Sequence, residues 1–314
     1  MNRVNIILAA YNGEKYIGEQ IESILNNSFT DWYLWIFDDG STDGTSTIVD
    51  GYVLKYPDKI KYFHNEKNKG LTLNFLEGLR YVAVCKSSKE REYYMFCDQD
   101  DVWMQDKIKK TYRQMKKMER KYGGDTVTAV FTDAKVVDEK LRMIYPSFFQ
   151  SSKLDTKKKD LPHILMENKL IGCTVMVNDA LVKKITVLPT KARFHDWWIA
   201  LLAASFGQIG YLPEATINYR QHSNNMVGNQ SFLEYVKNRI SSLQMQKEAL
   251  HKTIIQAEEF YQIYHKGLPE REQILISHFA HLERCNWITR RWFIVKYGYQ
   301  KTGFLRNIGL FFLI

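Results

Sequence analysis

The sequence predicts an α/β protein, a mostly parallel sheet with flanking helices followed by a C-terminal helical region. Three observations carry this. Apolar runs of strand length alternate with helical periodicity through the first part of the chain. Polar, acid-rich segments recur at the carboxyl ends of those runs. From Ser231 onward the strand signal stops and long helical patterns take over. In sheets assembled from βαβ units, ligands sit outside the carboxyl ends of the strands, so these acid-rich segments are candidate site loops.

In chain order, Val4–Ala10 is an apolar run, Tyr11-Asn12-Gly13 a turn, and Tyr16, Ile17, Ile21, Ile24 and Leu25 recur at helical spacing. A second strand over 32–37 stops at Asp38-Asp39-Gly40-Ser41-Thr42-Asp43, before a helix through Ile48, Val49 and Tyr52. Helix capping with turn glycines accounts for part of that segment, but two adjacent acids before a cap need a further reason. A third strand, Ile60–His64, leads to a helix through Leu73, Leu76, Leu79 and Val82. After a helix over 105–122, strands are expected at 126–133, 135–143, 168–177, 209–212 and 216–219, with a charged loop at 153–160. Phe194-His195-Asp196-Trp197-Trp198 opens a helix, with Asp196 as its N-cap or as a base in an aromatic-walled pocket. Long helices are expected over 232–265 and 270–297, broken at Gly267-Leu268-Pro269. The expected division is a catalytic domain of 1–228 and a helical region of 229–314.

The stretch Tyr93-Tyr94-Met95-Phe96-Cys97-Asp98-Gln99-Asp100-Asp101-Val102-Trp103 is the organising one. A strand interior of this kind belongs to a core, where an unpaired carboxylate is heavily penalised. Asp98 and Asp100 point the same way in an extended segment, and paired oxygen ligands suit Mg2+ or Mn2+. An Asx turn with Asp101 or Asp106 capping the next helix is the structural alternative. His222, in the polar cluster Arg220-Gln221-His222-Ser223-Asn224-Asn225, closes the α/β pattern.

The 314 residues are 45% hydrophobic with a net charge of +9, enough for a sizeable core and too apolar for disorder. Cys85, Cys97, Cys173 and Cys285 lack C-x-x-C spacing, which fits a reducing compartment and suggests neither zinc nor disulfides. No G-x-G-x-x-G or G-x-x-x-x-G-K-[ST] motif occurs, against a Rossmann dinucleotide site or a P-loop. No run approaches the roughly 18 to 20 apolar residues of a membrane span. The apolar start at Val4 is too short for a signal peptide, and Tyr11-Asn12-Gly13 reads as a turn rather than a cleavage site. Beyond Glu283 there is no acid, while cations interleave with Trp287, Trp292, Phe293, Tyr297, Tyr299 and Phe304. That mixture suits a lipid headgroup interface or an ordinary packed helix with snorkelling cations, and a dimer contact is the other use of these helices.

Taken together, Leu8-Ala9-Ala10-Tyr11-Asn12, Asp38-Asp39-Gly40-Ser41-Thr42-Asp43, Asp98-Gln99-Asp100-Asp101 and His195-Asp196 resemble the family 2 glycosyltransferases with their GT-A fold, over residues 4–225. The segments 96–103 and 219–225 look most like the bacterial rhamnosyltransferase branch that builds cell-surface polysaccharides. The resemblance implies an inverting, metal-dependent transfer of L-rhamnose from dTDP-rhamnose onto a hydroxyl of a growing, lipid-linked polysaccharide. UDP-glucose, UDP-galactose or another UDP-sugar is the alternative donor. It places Ala9, Tyr11, Asp39 and Asp98 at the donor nucleotide and Asp98, Asp100 and His222 at a Mn2+ or Mg2+ ion. Asp196 becomes the general base, and Trp103, His195, Trp197 and Trp198 the acceptor and sugar pocket. It also implies a cytoplasmic protein, peripheral at the inner face of the cell membrane. Processive members carry a Q-x-x-R-W element, whereas here Ile288 stands where Gln would precede Arg291-Trp292, so one sugar per encounter is expected. A nucleic-acid-binding protein ranks low, since the acids at the strand ends would repel phosphates. A non-catalytic glycan-binding subunit is the remaining alternative.

Overall fold

Seven consecutive buried residues in Val4–Ala10 (β1) need neighbours on both edges and both faces. Parallel pairing with Trp32–Asp38 (β2) and Tyr93–Asp98 (β4) supplies the edges, and β2 pairs in parallel with Ile60–His64 (β3). The crossovers are Ile17–Leu25 (α1), Thr45–Lys55 (α2) and Leu71–Val84 (α3). The register sets Ala10 beside Asp38 and Ala9 beside Asp98, so the two acid motifs emerge on either side of the first loop. This computed structural model describes residues 3–85, 91–222 and 243–314. Ser223, Asn224 and Asn225, the boundary expected at 228/229 and the helix start expected at Phe232 lie outside the described residues.

Beyond β4 the chain adds Val102–Trp103 (β5), Lys107–Tyr122 (α4), Val127–Val137 (β6), Met143–Tyr145 (β7), Phe148–Ser152 (α5), Leu161–Met166 (α6), Met176–Asn178 (β8), Asp179–Val182 (α7), His195–Phe206 (α8) and Gly207–Arg220 (β9). The strands form one sheet in the order β3-β2-β1-β4-β8-β6-β9-β5, with β7 on β6. The first four are mutually parallel, whereas β8 runs antiparallel to both β4 and β6, and β9 runs parallel to β6. The expected fold class holds, with a sheet that turns mixed where the second half of the site is carried.

Four sequence expectations change in detail, one of them the helix expected over 270–297, which breaks between Ala280 and Trp287. The segments 209–212 and 216–219 are one 14-residue strand, β9, because the ladder to β6 steps from Thr132 opposite Leu212 to Asp133 opposite Ala215 and passes over Pro213 and Glu214. Most of 126–143 likewise merges into β6, with the short β7 following. The strand expected over 168–177 is mainly a loop with a 3-10 turn at Gly172–Thr174, and only Met176–Asn178 pairs in the sheet. Close approach explains the loop: a Cβ on Gly172 would lie 2.7 Å from His195 Nε2.

Four further helices follow: Leu243–Tyr264 (α9), Glu270–Ala280 (α10), Trp287–Tyr297 (α11) and Phe304–Leu313 (α12). They share the core of the sheet. Trp198, fully buried on α8, packs its ring 5.1 Å from Phe260 and 6.2 Å from Tyr264 of α9. Among the described residues, no helix is long and apolar enough to cross a membrane. Trp198→Ala is expected to destabilise the fold by about 3 to 5 kcal/mol in urea denaturation, the cost of emptying a large aromatic site.

Candidate active site

Small polar side chains stitch the loops of the cleft together. Asn12 N–H donates to Ser41 Oγ at 2.8 Å, Gly13 N–H to Thr45 Oγ1 at 2.8 Å and Thr42 N–H to Asn12 Oδ1 at 2.9 Å. Asn12 stands at φ 47°, a left-handed conformation that asparagine tolerates better than most residues. The adjacent acids of the second motif divide their work. Asp38 is fully buried and accepts from the Ser41 hydroxyl (2.6 Å) and the Tyr62 hydroxyl (2.7 Å), so it holds the turn. Asp39 reaches the cavity and gathers the loop before α3, accepting from Lys69 N–H (2.9 Å), Asn65 Nδ2 (3.0 Å) and Gly70 N–H (2.8 Å).

The strand β4 delivers Asp98 as its last residue. Gln99 then extends the β1 pairing with a side chain: its Oε1 accepts from Tyr11 N–H at 2.8 Å and its Nε2 donates to the Tyr11 carbonyl at 3.0 Å. Gly13 makes room for this, since a Cβ there would lie 2.2 Å from Gln99 Oε1. Arg220, at the end of β9, binds the acid turn through its N–H to Asp101 Oδ1 (3.1 Å) and its Nε to the Asp100 carbonyl (2.8 Å). His222 Nε2 lies 2.8 Å from Asp100 Oδ2, with its ring stacked on Tyr16 at 5.0 Å.

Burial, then the charges of Asp100 and Asp196, push the Asp98 carboxyl up to about 7. Burial and the same neighbours, Asp100 and Asp98, raise Asp101 well above the ordinary range. Such a cluster favours a bound cation. The carboxylate oxygens of Asp98 and Asp101 and the Cys173 sulfur lie within 4.8 Å of one another. The Cys173 thiol is pushed up by burial and stays protonated, a poor ligand for a hard ion. Of the acids in this turn, Asp98 and Asp100 reach the open cavity. They fit Mg2+ or Mn2+, and His222 already engages Asp100.

Across the cavity, Asp196 is the second residue of α8 and not its N-cap, which is Phe194. Its Oδ1 accepts from Trp197 N–H at 2.7 Å. Burial raises this carboxyl to about 6, against the opposing hydrogen bonds of Asn168, Trp197 and Gly172. A carboxylate of that strength is suited to general-base work near neutral pH. His195 is a neutral wall: its ring centroid lies 4.0 Å from that of Phe75 and 5.0 Å from that of Phe96, and burial pulls it down to about 3.

One cavity of about 600 Å³ is lined by Ala9, Tyr11, Asp39, Asp98, Asp100, His195, Asp196 and Trp197. Tyr11 is 47% exposed there. Trp197 donates Nε1–H to the Ile164 carbonyl at 2.6 Å, beneath the Arg193 guanidinium. Trp103 and Trp198 do not reach this cavity. Trp103 is buried in β5, under the Lys107 ammonium at 4.7 Å, and Trp198 faces α9.

A sequence model described as Glycosyl transferase family 2 matches residues 5–176, more than half the chain. The chain belongs to glycosyl transferase family 2. A curated relative from Shigella flexneri, the dTDP-rhamnosyl transferase RfbG, is 30% identical over 70% of this chain and 73% of its own. Two solved structures share the GT-A fold. TarS 1-349 of S. aureus with UDP-GlcNAc has a TM-score of 0.56 at 18% identity, covering 93% of this chain and 79% of its own. The mannosyltransferase PcManGT of Pyrobaculum calidifontis with GDP-Man and Mn2+ has a TM-score of 0.54 at 16% identity, covering 94% and 73%.

Within this family 2 glycosyltransferase, several site residues escape sequence reasoning. The clamp by Gln99 had a visible signal, its place inside the acid motif, but its function needs the backbone of Tyr11 beside it. Asn168 sits in a segment that reads as a strand and instead supports Asp196. The unfolded chain protonates His195 near the ordinary histidine value, whereas the native chain resists until about 3. Its stabilising contribution is therefore complete above the unfolded value and lost as pH falls. Comparing His195→Phe with the parent by urea denaturation at pH 7.5 and 5.0 isolates this: the parent is expected to lose about 2 kcal/mol relative to the variant.

Proposed function

We propose that this glycosyltransferase moves a sugar from a nucleoside diphosphate donor onto an acceptor hydroxyl with inversion, using a divalent cation. The donor assigned is dTDP-rhamnose and the acceptor a growing, lipid-linked cell-surface polysaccharide. The observation that carries the reading is that Asp98 and Asp100 share one cavity with Asp196, a buried carboxylate raised to about 6. The donor assignment is supported by the relative's name, dTDP-rhamnosyl transferase. A UDP-sugar is the second reading, favoured by the UDP-GlcNAc bound to TarS.

In this scheme Tyr11 stacks on the base beside Ala9, and Asp39 accepts from the base through lone pairs left over from holding Lys69 and Gly70. Asp98 and Asp100, with His222 beside them, would hold a Mn2+ or Mg2+ ion, which would supply positive charge against the leaving diphosphate. Asp196 takes the proton of the acceptor hydroxyl. That oxygen bonds to the anomeric carbon as the bond from this carbon to the diphosphate oxygen breaks, and the configuration inverts. His195 and Trp197 give the pocket an apolar wall, which keeps water from competing as nucleophile.

Asp196→Asn is expected to lower turnover by about 10² to 10⁴ while the thermal midpoint at pH 7.5 holds or rises, because an ionised buried carboxylate is removed. Transfer measured with dTDP-rhamnose and with UDP-sugars against pH should fall below about 6, where Asp196 gains its proton. Normal turnover in Asp196→Asn, or a rate flat from pH 7.5 to 5, contradicts the assignment of the base.

A further inference from the structure

Beyond Glu283 the chain holds no acid, and its last two helices expose large apolar side chains. On α11, Ile288, Trp292 and Val295 recur at helical spacing and are 72%, 52% and 70% exposed. On α12, Phe304, Leu305 and Phe312 are 79%, 78% and 79% exposed, with Ile308 between them on the same stripe. The opposite faces are anchored by buried Ile294 and Leu310. The Arg291 guanidinium joins the helices, 3.7 Å over the Trp287 ring and 5.3 Å from the centroid of Phe311.

The neighbouring cations divide into two groups. Arg284 and Arg306 are paired with Glu258 and Glu167. Arg290 donates to the carbonyls of Cys285 and Glu283, Arg291 to that of Trp287, and the Lys296 ammonium lies 4.1 Å over Trp292. Arg291 is itself buried, so those contacts leave the charges of Arg290 and Lys296 unneutralised at the rim of an apolar stripe edged with tryptophan.

We propose that this α11-α12 face docks on an anionic lipid surface. Aliphatic and aromatic side chains enter the headgroup and acyl boundary while the cations meet lipid phosphates. A symmetric dimer through this face would set the same cations against each other. Nucleic acid would use the cations but has no use for exposed Ile288, Val295 and Leu305.

The face is also joined to the cleft. Thr302, between the two helices, donates its N–H to Glu167 Oε2 at 2.9 Å and accepts at Oγ1 from Asp155 N–H (3.2 Å) and the buried Lys169 ammonium. Arg306 Nη1 reaches Glu167 Oε1 at 2.8 Å. Glu167 adjoins Asn168 and Asp155 adjoins Leu154, both lining the cavity. Docking through this face therefore holds the acceptor wall in fixed relation to the lipid. That consequence rests on the lipid-linked acceptor proposed above, whereas docking itself does not.

The test sediments the full chain with vesicles of pure phosphatidylcholine and of phosphatidylcholine mixed with phosphatidylglycerol. The protein is expected to partition onto the anionic vesicles, less so at high salt. Arg290→Gln with Lys296→Gln should weaken partitioning roughly 30-fold, at about 1 kcal/mol per cation. Phe304→Ser, Leu305→Ser and Phe312→Ser together should release the protein with its thermal midpoint unchanged, as all three side chains already face solvent. Retention of the parent in the supernatant, or equal binding to both vesicle types, overturns the proposal. A mass doubling in light scattering that the triple variant abolishes, without vesicle binding, also overturns it and makes the face a contact between copies. Vesicle binding reads the surface without turnover, so failure of the proposed reaction is seen separately.

Discussion

The structure depends on the cost of ending a fully buried strand in carboxylates. Tyr93 to Cys97 have no exposed surface, yet the next residues are Asp98, Asp100 and Asp101, with Asp196 near enough to raise Asp98 further. Unpaired, such a cluster is unfavourable by several kcal/mol. The surrounding chain offsets that cost with directed hydrogen bonds and two buried cations, Arg220 and Lys107. Arg220 threads its backbone and guanidinium into the turn, and Gln99 ties it to β1. Lys107, wholly buried and lowered by that burial to about 8, supplies positive charge beneath Asp101. Asp98 and Asp100 face the cavity, Asp100 with the His222 ring as a partner, and the proposed reaction sets the donor's cation at these two carboxylates. Residual strain of this kind is how a fold keeps a site ready for a ligand.

The same logic explains how the two halves of the sheet share labour. The parallel half, β3-β2-β1-β4, brings three loops to one edge, a consequence of βαβ connections that always return to the same end. The mixed half brings Arg220 at the end of β9 and His222 just beyond it, and sets α8 so that Asp196 and His195 line the same cavity as the acids. Neither half makes a site alone. Glycines at 13 and 172 mark the places where loops from different elements pass too close for a Cβ.

Much of this was legible in the sequence because it is local. Continuous apolar runs announce β1, β2 and β4, and acids at their ends announce the loops. Period and punctuation carry that information without any knowledge of neighbours. The tryptophans were not legible. Trp103, Trp197 and Trp198 all stand beside site motifs, but only Trp197 lines the cavity, because the 3.6-residue turn of α8 points Trp198 at α9. Nor could pattern reveal that Asp38 serves the turn and Asp39 the cavity, or that the stretch around Gly172 bends away from the sheet to support Asp196. Those outcomes are set by partners distant in sequence: Tyr62, Gly70 and His195.

The central claim is that Asp98 and Asp100 are left short of positive charge so that a nucleotide diphosphate can bind there with its cation. Isothermal titration of dTDP into the protein, with Mn2+ and again with EDTA, tests it most directly. The expected result is binding that requires Mn2+ and is lost in Asp100→Asn. Equal affinity in EDTA, or undiminished Mn2+-dependent binding in Asp100→Asn, would contradict it.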